Sequence, residues 1–190
     1  MAPVRDSERI YDEFLVASAM GGDRQALDRL IARWQPRLLR HAWRVLGDAE
    51  RARDALQEAW IEILRGLGRM NDVAAFPAWA YRIVSRRCYR TLASTSREPF
   101  ESVEAGLSQE PKTPERESGE FSYDLGLVVS ALTALPAPQR AAIALFYLEG
   151  LTVAEIAVAL DVPPGTVKTR LMHARTKLRV QLEGESHGQV

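Results

Sequence analysis

The residues best suited to binding chemistry lie near the end of the chain, where polar and apolar side chains alternate at helical spacing. Between residues 161 and 180 the sequence carries five basic residues and one acidic residue. Four apolar residues recur at spacings of four, three and four, which predicts the buried stripe of a helix: Val167, Leu171, Ala174 and Leu178. The residues left facing outward or flanking the stripe are Lys168, Thr169, Met172, His173, Arg175 and Thr176.

These side-chain types are the ones that contact double-stranded DNA. Lys and Arg pair with guanine edges, and Thr or Met contacts the methyl group of thymine. Arg170, Arg175 and Lys177 are better placed for phosphates, which fix the position of a protein on the duplex. The alternative is a solvated face of an amphipathic helix, which is what isolated basic helices usually are.

The elements before this helix favour DNA binding. Thr152 and Glu155 have the spacing of a capping box, which predicts the start of a short helix. The residues at 161–163 form a tight turn, and a final helix is predicted from Pro164 to about Leu182. A capped short helix, a turn and a longer basic helix together predict a helix-turn-helix, whose second helix enters the major groove.

Charge is unevenly distributed, although it sums to zero over the 190 residues. Residues 75–97 carry a net charge of +5 and residues 161–180 carry +4, whereas residues 98–124 carry −6. Salt limits the reach of each charge to about 10 Å, so the two basic stretches act locally and favour nucleic-acid binding. The acidic stretch is rich in Glu, Ser, Pro and Gly without helical spacing, which predicts a flexible linker.

The predicted organisation is all-α, with two small helical domains joined by that acidic linker. The sequence has no alternating strand pattern and no hairpin signal. Pro36 is expected to kink or split the second helix. The predicted domains and linker are residues 8–96, 123–184 and 97–122. The predicted helices span residues 7–20, 23–46, 48–67, 75–94, 123–135, 138–147, 152–160 and 164–182.

Several classes of protein are disfavoured. A single cysteine excludes an internal disulfide and a multi-cysteine metal site. No apolar run reaches 18 residues, so no membrane insertion is expected. We find no nucleophile–base set, phosphate loop or metal cluster. We therefore expect no enzyme activity, no cofactor and no metal, and a cytoplasmic location.

Two sets of motifs, in order along the chain, resemble the extracytoplasmic-function sigma factors of RNA polymerase. The second domain resembles their region four, a helix-turn-helix, and the first resembles their region two, a helical bundle. The region-four motifs lie at residues 135–140, 146–152, 155–157 and 165–175. They include the sequences LP, QR, GLT, EIA and GTVKTRLMHAR. The region-two motifs are at residues 22–38, 47–60 and 76–83.

The resemblance implies a role for each surface. One set would dock on the clamp helices of the polymerase β′ subunit: Asp54, Gln57, Glu58, Trp60, Ile61 and Glu62. A second set would bind the −10 element, with the arginines as a phosphate-binding stripe: Asn71, Asp72, Trp79, Arg82, Arg86 and Arg90. A third set would bind the −35 element: Thr166, Lys168, Thr169, Arg170, Met172, His173, Arg175 and Lys177. Region four would also contact the polymerase β flap, and an anti-sigma factor is an expected partner.

Some residues carry a structural alternative or depart from the family pattern. Phe76, Trp79 and Ile83 have core spacing, and we interpret them mainly as packing residues, while Tyr81 is expected to face outward. The docking set has as its alternative an ordinary solvated helix surface. Three residues depart from the family pattern: Arg86, where many members carry Asn, Pro163 and His173. Because of these departures, the family pattern does not predict the promoter sequence.

Two other functions stay open from the sequence alone. One is a dimeric helix-turn-helix regulator that acts without joining polymerase, although no dimerisation element is evident. The other is a sigma mimic that only sequesters an anti-sigma factor. Such a mimic would not need a basic stripe or a recognition helix, so DNA binding distinguishes it from a sigma factor.

Overall fold

The computed structural model describes residues 4–95 and 131–186, and within those ranges it contains helices and no strands. The all-α prediction is confirmed. A 3₁₀ turn at Val73–Ala75 precedes the fourth helix, and residues 131–133 are helical. The predicted linker 97–122 and most of the helix predicted at 123–135 lie outside the described residues. The helices are α1 Val4–Met20, α2 Arg24–Leu46, α3 Ala49–Leu67, α4 Phe76–Thr95, α5 Ala137–Tyr147, α6 Val153–Leu160 and α7 Pro164–Ser186.

Side-chain caps fix the helix starts of the N-terminal domain, formed by α1 to α4. The Asp23 carboxylate accepts hydrogen bonds from the backbone N–H groups of Gln25 and Ala26, at 2.8 and 3.2 Å. The Asp48 carboxylate accepts one from Arg51 at 2.8 Å. These bonds satisfy backbone donors that have no partner within the helix. These two residues begin the helices predicted at residues 23–46 and 48–67.

Pro36 does not split α2, which was one of the two outcomes expected of it. The helix continues through it from Arg24 to Leu46. Pro36 lacks the N–H that would bond to the carbonyl of Ala32, but both residues are exposed, so water can satisfy that carbonyl. Buried side chains before and after the proline, including Trp34 and Leu38, anchor both halves of the helix in one core.

An aromatic cluster forms the centre of the N-terminal domain. Trp34 of α2 meets Phe76 edge-on at 5.1 Å between ring centroids, and it meets Tyr81 at 5.8 Å. Tyr81 also packs against His41 at 5.0 Å. The expectation that Tyr81 faces outward is wrong, since its side chain is completely buried. Tyr81 lies five residues after Phe76 on α4. Because α4 packs against α2, the buried face of α4 is wider than the stripe predicted at residues 76, 79 and 83.

The C-terminal domain, formed by α5 to α7, contains the predicted helix-turn-helix. The Thr152 hydroxyl accepts from the N–H of Glu155 at 3.2 Å, and the Glu155 carboxylate accepts from the N–H of Thr152 at 2.6 Å, which completes the capping box. Asp161 ends α6 in the left-handed conformation with φ 54°. Val167, Leu171 and Ala174 of α7 are buried, as predicted.

Thr152→Ala is expected to lower the free energy of unfolding by about 1 kcal/mol, the usual contribution of an N-cap side chain. The substitution removes the acceptor for the Glu155 N–H and leaves the buried face of α6 unchanged. Chemical denaturation monitored by circular dichroism measures the change. Thr169→Ala is the matched control, because that hydroxyl bonds to a carbonyl within its own helix. An equal loss in both variants would contradict a specific role for the cap.

The two domains contact each other through two pairs of helices. Helix α4 of the N-terminal domain packs against α6 of the C-terminal domain, and α2 packs against α5 in the same way. The second helix-turn-helix element, α7, packs on α5 and α6. None of the helices in the described ranges is both long and apolar enough to cross a membrane.

Candidate nucleic-acid interface

The outer face of α7 is open. Lys168, Thr169, Met172 and His173 are exposed on it, and Met172 retains 55% of its surface. The Thr169 hydroxyl donates to the carbonyl of Gly165 at 3.1 Å. Together these residues present one cation, two apolar groups and an imidazole on a single surface, as base-edge recognition requires.

Two arginines of α7 are less free. Arg175 donates through Nε to the Tyr147 hydroxyl at 3.0 Å, and its guanidinium stacks on the rings of Phe146 and Tyr147 at 5.4 and 5.6 Å. Arg170 is half-buried, and so is Thr166. Of the predicted −35 set, Arg175 is therefore held against α5, and Arg170 is turned toward the N-terminal domain.

The arginine stripe of α4 is largely paired with acids. Arg82 donates to the Asp161 carboxylate at 3.0 Å. Arg86 pairs with Glu62 of α3. Arg90 is exposed, and no acidic group pairs with it among the described residues. The helix does align these arginines, and of the three only Arg90 has no acidic partner among the described residues.

The loop before α4 and the ring of Trp79 complete the predicted −10 set. Asn71 and Asp72 are exposed, and the Asp72 carboxylate caps the 3₁₀ turn by accepting from the N–H of Ala74 at 3.0 Å. Trp79 is half-buried and packs over Gly66 of α3, where an added Cβ would lie 2.7 Å from the indole ring. Gly66 thus makes room for Trp79, which has both a packing face and an exposed edge.

The predicted docking set divides between two faces of α3. Gln57, Trp60 and Ile61 line a shallow groove together with Gln35, Arg53 and Leu64. Ile61 and Leu64 keep 46% and 43% of their surfaces exposed, whereas the ring of Trp60 forms the floor and donates to the Gln35 amide. Asp54 is exposed as well.

Glu58 and Glu62 face α4 instead of this groove. Arg87 donates to Glu58 at 3.0 Å and to Glu62 at 2.8 Å. The groove is therefore apolar at its centre and carries Gln57 and Arg53 as polar groups. Ile61 and Leu64 are exposed side by side in one groove, which makes this groove a candidate protein-binding surface.

A polar cluster joins the two domains, and the spacing of residues in the sequence did not predict it. The Glu149 side chain is only 4% exposed and accepts from Arg37 Nε at 2.9 Å, with Arg44 Nη1 4.0 Å away. Arg140 donates to the backbone carbonyl of Arg44 at 3.1 Å and to that of Thr133 at 2.8 Å. Apart from Thr133, the paired residues are 96 to 112 positions apart in the sequence. No local sequence pattern therefore predicts these contacts.

A buried histidine was also missed. His41 is completely buried, and its Nε2 lies 2.8 Å from the Ser85 hydroxyl. Burial, and then the charge of Arg44, lower the pKa of His41 to about 3. The spacing with Trp34, Leu38 and Val45 places His41 on the apolar face of α2, which was the signal available in the sequence.

Two family models match the chain. Sigma-70 region 2 matches residues 30–98, and Sigma-70, region 4 matches residues 125–178. The ECF RNA polymerase sigma factor SigM of Mycobacterium tuberculosis is 34% identical over 167 residues, covering 88% of this chain and 82% of the relative. The ECF RNA polymerase sigma-E factor of Escherichia coli is 32% identical over 180 residues, covering 89% and 93%.

The fold is shared with a solved structure as well. The sigma factor RpoE in complex with the anti-sigma factor NepR from Bartonella quintana has a TM-score of 0.66 at 22% identity, covering 83% of this chain and 96% of that one. The extent and identity of the matched relatives confirm the resemblance. The chain belongs to the ECF family of RNA polymerase sigma factors.

Proposed function

We propose that this sigma factor divides its work between its two domains. Residues 8–96 bind core polymerase and the −10 element, residues 97–122 connect the domains, and residues 123–184 bind the −35 element. The observation that carries this proposal is the open, basic outer face of α7 following a capped α6 and a tight turn. That arrangement supports entry of α7 into the major groove.

Docking on polymerase is assigned to the groove on α3. Gln57 and Ile61 are exposed in this groove, which Trp60 also lines, and Asp54 is exposed on the same helix. The exposed aliphatic centre with a polar rim has the composition of a protein interface, and the family resemblance supports the β′ clamp helices as its partner. Glu58 and Glu62 contribute by holding the arginines of α4 in place.

Promoter opening is assigned to α4 and the loop before it. Bases that leave the stack are captured by aromatic faces and cationic grooves, and Trp79 with Asn71 and Asp72 offers such groups at one end of the helix. Arg90 continues along the helix as a phosphate contact, and Arg82 and Arg86 join it once they leave Asp161 and Glu62.

The remaining assignments concern partners and location. We propose that region four also contacts the β flap and that an anti-sigma factor controls the protein, as one binds the Bartonella quintana sigma factor of similar fold. The protein acts where core polymerase is, in the cytoplasm, without enzyme activity of its own and without a metal or other cofactor.

Runoff transcription from a promoter library tests the proposal. Core polymerase supplemented with the purified chain should start transcripts from a subset of sequences that share −10 and −35 elements. Equal output with and without the chain would overturn it. Sequence-specific DNA binding by a dimer without transcription would favour the stand-alone regulator, and capture of an anti-sigma factor without DNA binding would favour the mimic.

Lys168→Ala is expected to weaken binding to the −35 duplex about tenfold, because one good base or phosphate contact contributes about 1–3 kcal/mol. Fluorescence anisotropy on the promoter selected above measures the affinity at fixed salt. Arg179→Ala is the matched control, since Arg179 is exposed three turns further along α7, away from the end that enters the groove. A larger loss for the control would contradict the assigned orientation of α7.

A further inference from the structure

Two aromatic residues at the C-terminal end of α5, Phe146 and Tyr147, form a corner beside α7. Their ring centroids are 5.0 Å apart, and the ring planes meet at 76°. The guanidinium of Arg175 lies in this aromatic corner, 5.4 Å from the centroid of Phe146 and 5.6 Å from that of Tyr147. Both distances are short enough for a cation to be attracted to the face of an aromatic ring.

A hydrogen bond fixes the orientation of the same guanidinium. Arg175 Nε donates to the Tyr147 hydroxyl at 3.0 Å. A guanidinium carries five N–H donors in one plane, so this bond leaves the four donors on Nη1 and Nη2. No carboxylate in the described part of the chain pairs with Arg175, and its side chain is exposed. The aromatic corner therefore holds a cation in place without neutralising it.

Arg175 lies on the same face of α7 as the residues at its DNA-reading end. Lys168, Met172 and Arg175 follow one another at spacings of four and three, and all three are exposed. Seven residues of helix rise about 10 Å, which is more than the depth of the major groove, about 8.5 Å. With Lys168 at the base edges, Arg175 therefore lies level with the phosphates at the edge of the groove.

We propose that Phe146 and Tyr147 are positioning residues for DNA binding, which hold Arg175 ready to contact a phosphate of the duplex. The inference rests on the proposed binding of the −35 element by α7. The ligand is a phosphate because the remaining donors of Arg175 form a planar fork that matches two phosphate oxygens. An arginine that is already held in place loses less side-chain freedom when it binds, so the aromatic corner raises affinity without touching DNA.

The alternative is that the aromatic corner only stabilises the packing of α5 on α7. Loss of the Tyr147 hydroxyl would lower the melting temperature in either case, so stability does not separate the two roles. Coupling between Tyr147 and Arg175 in DNA binding does, because a packing role does not depend on what Arg175 contacts. A double-mutant cycle measures this coupling.

The cycle is measured on the full chain by fluorescence anisotropy at low salt, with a random-sequence duplex, because phosphate contacts do not depend on sequence. Tyr147→Phe removes the hydroxyl acceptor, keeps the ring and should weaken binding about threefold. Arg175→Ala should weaken binding about tenfold. In the Arg175→Ala protein, Tyr147→Phe should have no further effect. An equal loss in both backgrounds, or no loss in either, overturns the proposal.

Salt dependence distinguishes the residue that contacts the phosphate from the residue that positions it. Each phosphate contact contributes about 0.9 to the slope of log affinity against log salt. Arg175→Ala should therefore reduce the slope by about 0.9, whereas Tyr147→Phe should leave it unchanged, because Arg175 still reaches the phosphate in the complex. An unchanged slope for Arg175→Ala would show that Arg175 contacts no phosphate, and the proposal would be wrong.

Two further variants complete the test. Tyr11→Phe is the matched control: Tyr11 is also an exposed tyrosine that lies beneath an arginine, but it is on α1, and Arg33 donates through Nε to Asp12 instead. It should bind the duplex as tightly as the wild type. Arg175→Lys keeps the charge and loses the planar Nε donor, and it leaves Tyr147 intact. It should bind about threefold more weakly with the wild-type salt slope, and wild-type affinity contradicts the proposal.

Failure of this inference is distinguishable from failure of the proposed function. If the wild type directs runoff transcription while Tyr147 and Arg175 show no coupling, only the positioning role is wrong. If the coupling and the salt slopes are as expected while the wild type directs no transcription, the polymerase role is wrong and the positioning role stands. A wild type that does not bind the duplex at low salt overturns the positioning role, whatever the result of transcription.

Discussion

Ile61→Asp is expected to reduce promoter-directed transcription at least ~30-fold at limiting concentrations of the protein. Ile61 is the exposed aliphatic side chain at the centre of the α3 groove. A carboxylate there would be desolvated on docking without a partner, and central interface residues contribute about 2–4 kcal/mol, roughly 30- to 1,000-fold in affinity. Multi-round transcription with core polymerase, titrated with the variant, measures the loss.

The matched control for this variant is Ile10→Asp. Ile10 is also an exposed isoleucine, with 64% of its surface accessible, but it lies on α1 away from the groove. It should transcribe within about twofold of the wild type, as expected for an exposed residue outside an interface. Because both substitutions are on helix surfaces, equal melting temperatures show that the fold is intact. If Ile61→Asp transcribes as well as its control, the groove is not the docking site.

Local features were predictable because neighbouring residues cause them. The carboxylates of Asp23 and Asp48 cap the helices that follow them, and Thr152 with Glu155 closes a capping box over three residues. The stripe from Val167 to Ala174 is buried because 3.6-residue periodicity places it on one face. Each of these follows from spacings of fewer than eight residues.

Features that depend on the crossing of distant helices were not predictable. Tyr81 is buried because α2 brings Trp34 and His41 against it. Glu62 was grouped with Gln57 because of the family resemblance, but it faces α4, where it pairs with Arg86 and Arg87. The pairing of Arg82 with Asp161 spans 79 residues, and a periodic stripe of arginines does not reveal which acids will meet it.

The free energy of unfolding should fall by about 2 kcal/mol between pH 6.5 and pH 5, because of His41. Its pKa is about 3 in the folded protein and about 6.5 in the unfolded chain, so only the unfolded state takes up a proton in this range. Stability is thus unaffected by this group above pH 6.5 and declines by about 1.4 kcal/mol for each pH unit below it, for a total of roughly 5 kcal/mol at pH 3.

Urea denaturation at several pH values between 5 and 7.5 isolates this effect. Below about pH 4.5 the lowered pKa of Glu155 adds its own loss of stability, so the measurement stays above that range. His41→Gln keeps a polar atom near Ser85 but cannot take up a proton, and its stability should vary less with pH. His173→Gln, at an exposed site on α7, should retain the wild-type slope.

A wild-type stability that is constant from pH 7.5 to pH 5 would mean that His41 can be protonated inside the fold. That outcome requires water or an acceptor to reach the ring. The surroundings oppose it: Arg44 on the same helix is cationic, and Tyr81 and Ser85 of α4 close the other sides. Because Arg44 also faces Glu149, opening the interdomain contact would remove a counter-charge from Arg44 and make protonation of His41 still less favourable. A Glu149→Gln protein should therefore show a pH slope at least as steep as the wild type.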